Sequence, residues 1–103
     1  MTDTHIIQAA GGTITIAPAV LSQIVVGSAE AVDGARVRRP RRGLDVEVED
    51  GRAHVSLELA VRAGLVLPEV AHEVQRSVGE SLGTMCGLEA EAVDVAIEEI
   101  DAG

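Results

Sequence analysis

The chain has 103 residues, a formal net charge of −9 and no phenylalanine, tyrosine or tryptophan, although 47% of its residues are hydrophobic. That length suits one domain with an independent core, and the core has to be aliphatic. The missing aromatics remove the stacking faces on which single-stranded nucleic-acid modules commonly rely, and a lone cysteine, Cys86, excludes an intramolecular disulfide or a cysteine-rich metal site.

The opening "MTDTHIIQAAGG" lacks the basic start and long apolar run of a secretory leader. No apolar stretch approaches the ~20 residues that cross a bilayer. The expectation is a soluble, cytoplasmic protein with residues 1–11 as a flexible N-terminus and 12–101 as a single domain. Gly11 and Gly12 form a turn that releases a short alternating strand, Thr13-Ile14-Thr15-Ile16. Pro18 suits the first turn of a helix. Val20, Leu21, Ile24, Val25 and Ala29 then recur at spacings of three and four, which predicts an amphipathic helix over 18–32 that Gly34 ends.

Residues 34–43, "GARVRRPRRG", gather five of the eight basic residues: Arg36, Arg38, Arg39, Arg41 and Arg42. Ala35 and Val37 fit a short strand that Pro40 interrupts. Leu44, Val46 and Val48 alternate with acidic residues as far as Asp50-Gly51, a two-residue hairpin signal. The return strand, 52–61, carries Ala53, Val55, Leu57, Leu59 and Val61 on one face and His54, Ser56 and Glu58 on the other. Pro68-Glu69 opens a second helix, down which Val70, Val74, Val78 and Leu82 descend, and Gly87 closes it. A last strand has Val93, Val95 and Ile97 on one face. The order strand, helix, short strand, hairpin, helix, strand implies an α+β fold: two helices packed on one face of a small mixed sheet.

Few residues of the chain fall in a pattern that carries chemistry. His5, His54 and His72 have no metal-ligand spacing, and in "HEVQR" Arg76 stands where a zinc-binding helix needs its second histidine. Asp94 with Glu98, and Glu58 with His54, share strand faces. Alternating acids on an exposed sheet face serve solubility and edge protection. The serines lack an elbow motif, and no cofactor is implied. Gly79 and Gly83 sit inside the second helix at a cost of about 1 kcal/mol each relative to alanine. Close approach of the first helix or of a second subunit would account for them, so they mark a helix-packing or oligomer face.

Three blocks carry a resemblance over the whole chain. "GTITIAPAVLSQIVVGSAEAVDG" at 12–34, "VRAGLVLPEVAHEVQ" at 61–75 and "MCGLEAEAVDVAIEEID" at 85–101 are similar, in order and spacing, to the alkaline shock protein family of bacteria. Cys86 and Asp94 depart from its usual threonine and asparagine. The resemblance implies a non-enzymatic cytoplasmic protein of envelope stress or homeostasis, one that self-associates and docks a membrane-associated partner. It supplies no catalytic residues. A regulatory partner of a lipid-synthesis enzyme is the alternative. A nucleic-acid module using the arginine segment ranks below both, because the acidic remainder repels a polyanion. The arginines are the expected partner-binding residues, toward acidic surface or a second copy of the chain.

Overall fold

A computed structural model describes residues 4–40 and 42–102. The chain runs β1 (His5–Ala9), β2 (Gly12–Ile16), α1 (Pro18–Glu30), β3 (Ala35–Val37), β4 (Leu44–Glu49), β5 (Arg52–Arg62), α2 (Leu67–Cys86) and β6 (Glu89–Asp101). This is the α+β fold expected. The main sheet is mixed and built around β5. Strands β3 and β4 both pair antiparallel with it, and β6 pairs parallel along its other edge.

The Asp50-Gly51 signal forms the turn it predicts, with φ of 51° and 76°. Both are left-handed values that glycine adopts freely and aspartate tolerates. This fixes the β4–β5 register, Glu49 opposite Arg52 and Leu44 opposite Leu57. Register in turn sends Val46, Val55, Leu57, Leu59 and Val61 to one face, where they are buried. Both helices cover that face. Leu21, Val25 and Ala29 of α1 and Val70, Val74, Val78 and Leu82 of α2 complete one aliphatic cluster with the sheet. The Ser77 hydroxyl donates to the Ser28 carbonyl at 2.7 Å, tying the two helices together.

Three features differ from the sequence expectations. Residues 5–9, placed outside the domain, form β1 and pair with β2 in a separate two-stranded sheet, from His5 opposite Ile16 to Ala9 opposite Gly12. Helix α1 ends at Glu30 with Ala31 as its cap. Gly34, with φ of 84°, makes the turn into β3 instead. Strand β6 extends beyond 93–98 at both ends because β5 offers it a full-length parallel edge, with bulges between Ala53 and His54 and between Leu59 and Ala60.

The helical glycines have no crowding that explains them. A Cβ on Gly79 would lie 3.6 Å from the Ala90 Cβ, and one on Gly83 would lie 3.8 Å from the Leu88 carbonyl oxygen. Both are ordinary contacts, and both neighbours belong to the β6 side of the molecule and not to α1. We expect Gly79→Ala and Gly83→Ala each to stabilise the fold by about 1 kcal/mol, raising Tm by roughly 4–8 °C in thermal melts. A lower Tm for either variant would show that the space above it is used within the fold.

Candidate functional site

The helices leave the opposite face of the main sheet uncovered. His54, Ser56 and Glu58 of β5 point there, with Asp45 and Glu47 of β4 and Asp94 of β6 as cross-strand neighbours. Strand alternation sends their neighbours to the core and turns these polar side chains to the other face, where they range from half-buried to exposed.

The arginine segment builds one end of this face. Val37 pairs with Leu59 and Leu44 with Leu57, so only Glu58 of β5 stands opposite the chain that joins β3 to β4. The edge strand therefore leaves the sheet and returns one position later. The Arg38 amide still donates to the Glu58 carbonyl at 2.8 Å, and the Arg42 and Gly43 amides both donate to the Arg39 carbonyl, closing a tight turn. Arg39 takes a φ of 44° to make it. Gly43 lacks a side chain where one is hard to fit, since a Cβ there would lie 3.1 Å from both the Arg38 carbonyl oxygen and the Glu58 carboxylate.

Glu58 is the anchor of this excursion. Its carboxylate accepts from Arg39 at 2.9 and 3.1 Å and pairs with Arg38 at 3.5 Å. Arg38 also reaches Glu99 at 3.0 Å. Arg36, in register with Ala60, bonds Asp101 of β6 at 3.1 and 3.2 Å on the far side of β5. Its side chain must cross β5 above Ala60, which accounts for the full burial of an alanine on the uncovered face. The hydrogen bonds from Arg36 hold the Asp101 carboxyl below its ordinary range, and the arginine rises in return.

Of the five arginines expected to bind a partner, Arg36, Arg38 and Arg39 are thus paired with acids of their own chain. Arg42 is exposed, and Arg41 lies outside the described residues. These pairs are a quarter to a half exposed and contribute modestly to stability; their effect is to order a charged ridge across the sheet. Gly79 and Gly83 lie on α2 away from this ridge, toward β6.

At the other end of the face, the His54 Nε2 lies 2.6 Å from an Asp94 carboxylate oxygen. A shallow cleft of about 230 Å³ beside it is lined by Glu47, Asp50, Arg52 and Glu91 among others. The hydrogen bond to Asp94 raises the His54 pKa above its ordinary 6.5, and the charges of Asp94, Glu47 and Glu91 add to it. The sequence showed His54 and Glu58 on one face but not the Asp94 partner, which a parallel strand brings from forty positions away. Both side chains are about half exposed or more, so water is not excluded from the pair, as acid–base catalysis would require. Among the described residues no group of three or more His, Cys, Asp or Glu could hold a metal ion, and no helix is long and apolar enough to cross a membrane. Cys86 is buried at the end of α2, and burial pushes its thiol pKa up, the opposite of a reactive cysteine.

Compared with known proteins, residues 35–102 match the model of the alkaline shock protein 23 family, described as having a cell envelope-related function. No curated protein and no solved structure matches the chain.

Two outcomes are expected. Because a raised histidine pKa stabilises the pair below the unfolded value and the stabilisation is lost as pH rises through the folded one, the His54–Asp94 tie loosens toward alkaline pH. An NMR titration should place His54 above 6.5, and Asp94→Asn should bring it down; an unchanged titration in the variant would sink this assignment. Glu58→Gln should alter global stability by less than about 1 kcal/mol while speeding hydrogen exchange at the Arg42 and Gly43 amides. Unaltered exchange there would mean that Glu58 does not hold the excursion.

Proposed function

The chain belongs to the alkaline shock protein 23 family, whose function is cell envelope-related, and from that premise we propose that it is a non-enzymatic interaction module of the cytoplasm. It acts in envelope stress or homeostasis by associating with itself and by docking a membrane-associated protein. The observation that carries this reading is the charge. At −9, the chain is repelled by the anionic cytoplasmic leaflet, where cationic segments gain about 1 kcal/mol per charge. An envelope role for such a protein calls for a protein intermediary.

The uncovered sheet face supports the same reading. It is broad, its charges are held in defined geometry by Glu58, Glu99 and Asp101, and its half-exposed ion pairs can exchange for pairs with a partner at small cost. Ordered charges of both signs favour specificity and register over raw affinity. His54 and Asp94 lie open to water on that face.

The test is cosedimentation of the purified chain with membrane vesicles from the cell that makes it. Binding should be lost when the vesicles are first treated with protease, and vesicles of anionic lipid alone should bring down none. Retained binding to shaved vesicles, or binding to pure lipid, would overturn the protein intermediary.

A further inference from the structure

The charges of this chain are unevenly placed. Between Asp3 and Glu30 there is no aspartate, glutamate, lysine or arginine, in a chain of which 24% is charged. That stretch builds β1, β2 and α1. The β1–β2 hairpin stands apart from the main sheet. His5 is its buried foot, donating from Nε2 to the Cys86 carbonyl at 3.1 Å, and Ile16 packs against the core. Farther out, Ile6 is 56% exposed and Ile14 is 51% exposed. The register puts Ile14 beside Ile7 on one face and Ile6 beside Thr15 on the other.

Two more exposed apolar side chains lie at the root of this arm. Val20 is in the first turn of α1, and Met85 is in the last turn of α2 beside Cys86. The helices run antiparallel, since Ser28 meets Ser77 and residues 31–33 lie beside 69, 70 and 73. The start of α1 and the end of α2 therefore share one end of the molecule. Val66, at the α2 N-cap, marks the opposite end.

We propose that this charge-free flank is the surface through which the chain associates with itself, its occupant being the same flank of a second copy; the inference rests on the self-association part of the reading above. Two constraints point to it. A lone two-stranded hairpin is marginal in water, and joining two arms edge to edge makes a four-stranded sheet about a two-fold axis. Two molecules that each carry −9 repel one another through most of their surfaces. The flank is where they meet without like charge, with the exposed Ile6, Ile14, Val20 and Met85 around the joint. Lipid is the competing occupant, and Gln8, Thr13 and Thr15 along the arm, with an acidic body behind it, disfavour it.

Sedimentation equilibrium of the full chain tests the assignment. The wild type should form dimers, and Ile14→Glu or Ile6→Glu should weaken them at least ~10-fold, because each brings like charge to the one uncharged joint of two molecules that already repel. Both side chains are exposed in the monomer, so cooperative melting should persist. Val66→Glu should leave dimerisation unchanged. Raising salt from about 0.05 to about 0.5 M should tighten the dimer, since screening relieves repulsion. A dimer indifferent to both arm substitutions removes this surface but keeps self-association, whereas a wild type that stays monomeric at high concentration removes both. Equal loss in Val66→Glu, weakening by salt, or arm-dependent binding to neutral lipid vesicles would each overturn the assignment.

Discussion

Strand β5 is hydrogen-bonded along both edges, and the rest of the molecule is arranged by that fact. One edge is taken over its whole length by β6, a parallel partner that the chain can reach only through the long crossover of α2. That crossover lays α2 on the face where Val55, Leu57, Leu59 and Val61 point, and α1 completes the same layer. The other edge must be shared by β3 and β4, which abut it end to end around Glu58. Any chain between those two strands has to leave the sheet, and that is where Arg38, Arg39 and Arg42 are.

How much of this the sequence discloses depends on how local each feature is. The Asp50-Gly51 turn, the alternation of β5, the descent of Val70, Val74, Val78 and Leu82, and the stop at Gly87 are all set by neighbours a few residues apart, and all stand where they were expected. Strand β1 left no such mark. Ile6 and Ile7 are adjacent, so they occupy both faces of a hairpin that buries neither fully, and period-two alternation never develops. The ends of β6 were hidden for another reason: Glu and Ala are poor strand formers, and pairing with a distant β5 overrides that preference. The candidate site divides in the same way. The arginine cluster is plain in the sequence, but its carboxylate partners Glu99 and Asp101 come from a strand about sixty residues downstream, beyond the reach of any spacing rule.

The uncovered face and the flank around β1 and β2 divide the surface by chemistry. The face holds acids along its length and arginines at one end, with pairs that salt or a competing partner can open. The flank holds threonine, glutamine and isoleucine and carries no ion pair for salt to open. The two surfaces therefore answer to different forces, one to charge and the other to apolar area.

The meeting of β3 and β4 at Glu58 has a further consequence for how such a fold can diversify. Because the two strands keep their own registers with β5, the length of chain between them is uncoupled from the sheet. Doubling that length costs only about 0.6 kcal/mol in closure entropy, and no core residue shifts its face. The position behaves as an insertion port: a place where a lineage, or an engineer, can exchange one recognition segment for another while the hydrophobic architecture beneath stays the same.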